Sequence, residues 1–288
     1  MMRRALAALL LFGAMEARAQ IQVELKFSRL QYIAYEPVMA TVGITNLAGR
    51  DIELQDTPGQ SWFGFEVTGG EGQPIGPLKP VSQPPLKIEA GKKVTQKINL
   101  TPLYPVHDLG SYHVRANVYF PDLGKYFYSQ AKVFQAIDAR PIWQQTVGVP
   151  DGAGPGAART YSLMTNRFPD HTSLYVRVAD KDTGIVYATY SLGRMILFEE
   201  PKPQIDQQNR LHVLHCSGPR SWSYSVIGLN GELVSHSTLA EAKTRPRLIH
   251  AADGMVTVHG GILDVPTAAA AAVRSAPKLS DRPDESDQ

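Results

Sequence analysis

Ile21-Gln22-Val23-Glu24-Leu25-Lys26-Phe27 is the stretch on which the fold turns. Val23, Leu25 and Phe27 alternate with Gln22, Glu24 and Lys26, so an extended chain here has one apolar face and one wet face. A helix would need apolar side chains every three or four residues, and from Ile21 to about Ala139 no stretch carries that period. Tyr35-Glu36-Pro37 interrupts, and then Val38, Ala40, Val42 and Ile44 alternate with Met39, Thr41, Gly43 and Thr45 up to the turn cluster Asn46-Leu47-Ala48-Gly49. Phe63, Phe65 and Val67 form the next inward set, ended by Gly69-Gly70. Val94, Ile98 and Leu100 lie on one side of a further strand, with Gln96 interrupting. Tyr112, Val114, Ala116 and Val118 continue the pattern, and Tyr126, Tyr128 and Val133 lie on the last hairpin. The proline-rich residues 74–85 cannot be a central strand, because each proline deletes a ladder donor. About seven short strands separated by turns predict an antiparallel β-sandwich over residues 20–139.

The segment Asp108-Leu109-Gly110-Ser111-Tyr112 adds a local signature. Tyrosine just after the start of a strand resembles the tyrosine corner, in which a phenol hydroxyl reaches back to backbone a few residues upstream. Tyr35-Glu36-Pro37-Val38, Ile44-Thr45-Asn46-Leu47 and Gly110-Ser111-Tyr112-His113-Val114-Arg115-Ala116 together resemble the immunoglobulin-like modules of exported bacterial proteins. Among those modules the stretch is similar to the macroglobulin-type and proteinase-inhibitor-type sandwiches, over roughly residues 21–139. The resemblance implies a sandwich fold and a role in binding or spacing. It carries no active residue over, and this sequence lacks the cystine that links the sheets in some such domains.

The second half is also strand-rich. Val149-Pro150-Asp151-Gly152-Ala153-Gly154-Pro155-Gly156-Ala157 has little to bury and suggests a linker over residues 140–158. Leu174-Tyr175-Val176-Arg177-Val178 runs through Asp180-Lys181-Asp182-Thr183-Gly184 into Ile185-Val186-Tyr187-Ala188-Thr189-Tyr190, a hairpin with a glycine-containing loop. Asn230-Gly231 lies between two apolar strands, a strong hairpin signal. Strands of one type begin at Leu174, Leu211 and Met255, spaced 37 and 44 residues apart, as propeller blades are. A propeller typically needs at least four blades. Residues 159–265 are therefore expected to form an antiparallel β-meander or small sandwich, with a propeller completed only by association of subunits. Residues 266–288 read as a polar, disordered tail.

Composition bounds the function. The chain has 288 residues, 43% hydrophobic and 19% charged, as in ordinary globular proteins. Arg3 and Arg4, the apolar run Ala5 to Met15 and Ala17-Arg18-Ala19 make residues 1–19 a cleavable signal peptide, with the cut before Gln20. The mature protein is then periplasmic or secreted. Cleavage takes Arg3, Arg4 and Arg18 from 29 basic side chains and Glu16 from 27 acidic ones, leaving no surplus of either sign. A nucleic-acid binder needs a phosphate-neutralising excess, so that class is excluded. No apolar stretch after the leader is long enough to span a bilayer. The single Cys216 has no intrachain partner and sits in the apolar run Leu211-His212-Val213-Leu214-His215-Cys216, which favours an inert thiol.

Few constellations carry chemistry. Asp182-Thr183-Gly184 matches the aspartic-protease tripeptide, but those enzymes need two such carboxylates and no second copy exists. Asp180 and Asp182 begin like a calcium loop, yet the twelfth position is Ser191 rather than an acid. Gly152, Gly154 and Gly156 are interrupted by Pro155 and precede no helix, so they form no dinucleotide loop. Asn99-Leu100-Thr101 is a glycosylation triplet only in a eukaryotic secretory host. His215, His250 and His259 are the candidate metal ligands, and they would have to converge from separate strands. His212 and His215 point to opposite faces of one strand and cannot share a metal. Trp62, Trp143 and Trp222 are candidate interaction residues, since aromatics dominate interface energetics.

The resulting expectation is an exported, non-enzymatic binding or assembly protein of the cell envelope. It has no cofactor, and its partner is another envelope or secreted protein. The alternatives are a protease-inhibitor or ligand-capture module and a metal-dependent enzyme built on the second-half histidines.

Overall fold

The computed structural model describes residues 20–150 and 157–263. The expected signal peptide at residues 1–19, the expected tail at residues 266–288 and the centre of the glycine-rich run lie outside the described residues. The chain divides into two compact units, residues 1–137 and 138–288. Both are all-β, built of antiparallel sheets with one parallel pairing.

The first unit holds β1 (Ile21–Phe27), β2 (Gln31–Ile33), β3 (Met39–Asn46), β4 (Ile52–Leu54), β5 (Phe63–Gly69), β6 (Pro74–Ile75), β7 (Leu86–Ile88), β8 (Lys93–Asn99), β9 (Gly110–Phe120), β10 (Lys125–Tyr128) and β11 (Lys132–Ile137). One sheet has the order β1-β3-β8. The other runs β2-β11-β9-β5-β6, with β10 also on β9, and β4 pairs separately with β7. The alternation read from the sequence is the reason both sheets share one core. Val23, Leu25, Val42, Ile44 and Ile98 from the first meet Phe65, Val114, Ala116, Val118 and Phe134 from the second. The chain changes sheets between β1 and β2, and β2 then pairs in parallel with β11. At the Tyr35-Glu36-Pro37 interruption Tyr35 takes a left-handed φ of 68°. Glu36 is buried there; its carboxylate accepts the Ile33 N–H at 3.0 Å and pairs with Arg29. Within the proline-rich connector only Pro74–Ile75 joins a sheet, at its outer edge, where proline costs no ladder bond. Tyr112 Oη donates to the Asp108 carbonyl at 2.8 Å, the back-bond its position predicts. The final hairpin is β9–β10, and β11 continues the same edge of β9 beyond Ser129, whose hydroxyl accepts the Ala116 N–H at 3.0 Å.

The second unit holds β12 (Pro141–Gly148), β13 (Ala158–Arg167), β14 (Thr172–Asp180), β15 (Val186–Met195), β16 (Lys202–Ile205), β17 (Leu211–Gly218), β18 (Ser221–Ile227), β19 (Leu233–Ala240), β20 (Arg247–His250), β21 (Val256–His259) and β22 (Ile262–Leu263). Residues 141–148 are thus a strand and not linker. Trp143 and Val147 give β12 an apolar side, and its ladder with β13 makes the glycine-rich run a connection inside this unit. Instead of one meander there are two in succession, β12-β13-β14-β15 and β16-β17-β18-β19-β22, followed by the β20–β21 pair. Tyr161, Leu163, Leu174, Val176 and Val178 of the first pack on Leu211, Val213 and Ile227 of the second. The opposite face of the second sheet, Leu214, Cys216, Trp222 and Leu239, packs on Leu248 and Val256 of the hairpin. A strand buried on both faces shows no alternation, and Leu211 to Cys216 are all buried. The strands beginning near Leu174, Leu211 and Met255 lie in three separate sheets. Asn230-Gly231 forms the β18–β19 turn, with Gly231 at φ 82° and its N–H on the Gly228 carbonyl at 3.0 Å.

Candidate functional site

The β1 edge of the first unit borders a groove. β1 pairs with β3 on one side, and no strand among the described residues pairs with its other side. The phase of the ladder is fixed by Asn46, whose N–H donates to the Lys92 carbonyl at 2.9 Å, away from β1. In an antiparallel ladder the backbone groups of successive residues point to alternate sides. Thr45, Gly43 and Thr41 therefore bond Gln22, Glu24 and Lys26, while Ile21, Val23 and Leu25 direct their N–H and C=O groups outward. As whole residues they are 2%, 7% and 2% exposed, so this unpaired backbone lies beneath the neighbouring wall and not on the open surface.

The groove, of about 820 Å³, runs along this edge, with Leu47, Phe127, Tyr128, Gln130 and Lys132 as its further wall. The wall is fixed by the β9–β10 ladder, which pairs Phe127 with Val118 and Tyr128 with Asn117. The Arg115 guanidinium lies 5.1 Å over the Tyr128 ring, a cation–π contact that orients it. Glu24 on the rim is held by Lys93 Nζ at 2.7 Å, and this hydrogen bond and charge hold its carboxyl below the usual range. The groove thus combines unpaired backbone, an apolar wall and a mixed-charge rim. It contains no nucleophile–base pair.

The candidate metal ligands do not come together. His215 on β17 is wholly buried, donates Nε2–H to the Arg194 carbonyl at 3.2 Å, and is pushed down to about 4, chiefly by burial. His250 and His259 are exposed and lie at opposite ends of the β20–β21 ladder, opposite Val256 and Arg247 respectively. β17 pairs with β16 and β18 and not with that hairpin, so no shared ladder brings His215 to His259. Among the described residues no group of three His, Cys, Asp or Glu side chains is arranged to hold a metal ion.

The tryptophans also separate. Trp62 is fully buried, with Nε1–H donating to the Gln83 carbonyl at 3.2 Å, and Trp222 is 2% exposed. Both build cores and offer no binding face. Trp143 is half-buried against the core between the two meanders. Asp182-Thr183-Gly184 is a hairpin turn. Asp180 Oδ1 accepts from the Asp182 and Thr183 N–H groups at 3.1 and 2.9 Å, while Oδ2 accepts from Arg159 at 2.7 Å.

One polar cluster is not evident from the sequence. The Asp206 carboxylate, 1% exposed, accepts from Arg210 Nε at 2.7 Å, the Arg210 N–H at 2.9 Å and His212 Nε2 at 3.0 Å. Burial alone would raise this carboxyl; the hydrogen bonds from His212 and Arg210 outweigh it and hold the group below its ordinary value. His212 Nδ1 lies 2.7 Å from Tyr224 Oη. The only foreshadowing was the turn-forming run Asp206-Gln207-Gln208-Asn209-Arg210. Asn209 in that turn has φ 59°; its carbonyl accepts Tyr161 Oη at 2.9 Å and its amide donates to the Gly148 carbonyl at 2.8 Å. The cluster therefore ties the β16–β17 turn to β12 and β13, a structural task.

Among the described residues no helix is long and apolar enough to cross a membrane. No family model and no curated protein matches the chain. A solved structure, the sporulation control protein Spo0M from Bacillus subtilis, aligns at 8% identity over 58% of this chain and 83% of that one. Its TM-score of 0.30 is too low to carry an argument about fold or function.

Proposed function

We propose that this is an exported, non-catalytic binding or assembly protein of the cell envelope, whose immunoglobulin-like first unit takes up an extended segment of a protein partner along β1. The fold part of the reading is supported by strand order. An immunoglobulin-like sandwich has its first, second and fifth strands in one sheet and its third, sixth and seventh in the other. β1, β3 and β8 correspond to the first group and β5, β9 and β11 to the second, and the Tyr112 back-bond falls at the start of the sixth.

The observation that carries the function is that Ile21, Val23 and Leu25 have no ladder partner on the groove side, where a strand that displaces the wall now covering them can pair. Donors and acceptors repeating every second residue match another polypeptide in extended form, and strand addition uses this match. The groove wall of Leu47, Phe127 and Tyr128 supplies contact for alternate side chains of the incoming strand.

Selection from a displayed library of random dodecapeptides tests the reading. Peptides alternating apolar and polar residues are expected, and their binding should slow amide exchange at Val23 and Leu25. Val23→Pro removes an outward N–H that β3 does not use, so it should weaken these peptides by about tenfold or more. Circular dichroism should show the sheet intact. Selected peptides that bind the proline variant equally well, or protect amides elsewhere, would refute strand addition.

A further inference from the structure

We infer that the cleft between β16 and the β20–β21 hairpin is a binding site for a small organic molecule bearing a phosphate group. This surface belongs to the second unit, and the inference is independent of strand addition to β1.

The cleft has a volume of about 600 Å³, within the range of small-molecule sites, roughly 300–1,000 Å³. Its walls carry three cationic side chains, Lys202, Arg245 and Arg247, the imidazole of His259, and one carboxylate, Glu199. Arg245 is already committed, with Nη1 at 3.8 Å from Glu199 and Nε at 3.4 Å from Glu241. Because Arg245 is shared with Glu241, it offsets Glu199, the one wall carboxylate, only in part. Lys202, Arg247 and His259 make no ion pair among the described residues. Arg247 and His259 stand directly opposite each other in the β20–β21 ladder, on one face of the hairpin.

The backbone supports this arrangement. Gly260 follows His259 at φ 81°, and a Cβ there would lie 2.7 Å from Thr244 Oγ1 and 2.8 Å from the Arg245 carbonyl oxygen. Only glycine permits so close an approach, which keeps Thr244 beside His259 at the cleft wall. The donor set is then an arginine fork, a lysine point charge, an imidazole and a hydroxyl. Arginine and lysine together are the usual recognition pair for phosphate oxygens. The cleft is larger than a bare anion needs, which points to an organic body attached to the phosphate. A nucleic acid is disfavoured, since the cluster is local and the chain without its leader has no basic surplus.

The test is titration of the purified full chain with inorganic phosphate and with phenyl phosphate at constant ionic strength, followed through backbone amide shifts. Saturable shifts confined to residues 199–204, 244–248 and 259–260 are expected, with phenyl phosphate binding more tightly. Arg247→Gln and Lys202→Gln, both exposed positions, should each weaken binding by about tenfold with the thermal midpoint unchanged. A parallel arm uses phosphatidylcholine vesicles containing phosphatidic acid. Arg247-dependent retention on vesicles would assign the phosphate to a lipid headgroup, and binding only in solution would assign it to a soluble ligand. Non-saturating shifts, an equal response to chloride or acetate, or unchanged binding in Arg247→Gln would overturn the site.

Discussion

His215 makes the second unit sensitive to mild acid. The imidazole is fully buried and donates one proton to the Arg194 carbonyl, while Nδ1 has no hydrogen-bond partner. Burial pushes its pKa from 6.5 to about 4, and the nearby His236 acts in the same direction. Between these values the unfolded chain binds a proton that the folded chain refuses. Stability therefore falls as pH drops from about 6.5 to about 4 and is flat in this contribution outside that window. One pKa unit corresponds to 1.36 kcal/mol, so the whole effect is about 3 kcal/mol, with roughly 2.5 kcal/mol of it lost by pH 4.5. Replacing His215 with leucine abolishes the linkage. It also strands the Arg194 carbonyl, at a pH-independent cost of about 1 kcal/mol. The assay is urea unfolding of the second unit between pH 7.5 and 4.5, followed by the fluorescence of the buried Trp222. Carboxylates titrate equally in both proteins and cancel in the difference. Wild type should begin more stable and lose its advantage on acidification. Two profiles that stay parallel to within ~0.5 kcal/mol would refute the reasoning.

Two further outcomes concern single hydrogen-bonding groups. Tyr112→Phe deletes only the hydroxyl that donates to the Asp108 carbonyl, and should lower the stability of the first unit by about 1 kcal/mol in chemical denaturation. Asp206→Asn keeps the shape of the β16–β17 turn but removes the charge that Arg210 and His212 bond. It should cost about 2–3 kcal/mol. Because the folded Asp206 carboxyl sits below its ordinary value, its contribution is complete above about pH 4 and fades only as pH falls through the folded pKa, a second and more acidic window than that of His215.

Strand content was legible because burial on one face imposes a period of two. Val23, Leu25, Val42, Ile44, Val114 and Ala116 are core residues, as that period requires. The Asn230-Gly231 turn and the Tyr112 back-bond were legible because each depends on a few neighbouring residues. The Pro141–Gly148 strand was masked by the glycine-rich run that follows it. The double burial of β17 left no alternation from which to read its orientation. The candidate site was less visible still. A free strand edge is a property of pairing, and nothing in Ile21-Gln22-Val23-Glu24-Leu25 says on which side a neighbour is missing. The tryptophans misled for a related reason: Trp62 follows a polar loop in sequence, yet its indole turns inward and finds the Gln83 carbonyl.

The β20–β21 hairpin has a consequence for redox chemistry. It covers the sheet face that carries Cys216, the sole cysteine of the chain, whose Sγ lies 3.1 Å from the Gly218 carbonyl and whose thiol is pushed up by burial. With no second cysteine in the chain, this thiol can form a disulfide only with another molecule. Whatever rate of mixed-disulfide formation the protein shows should therefore track how often this small two-stranded flap lifts.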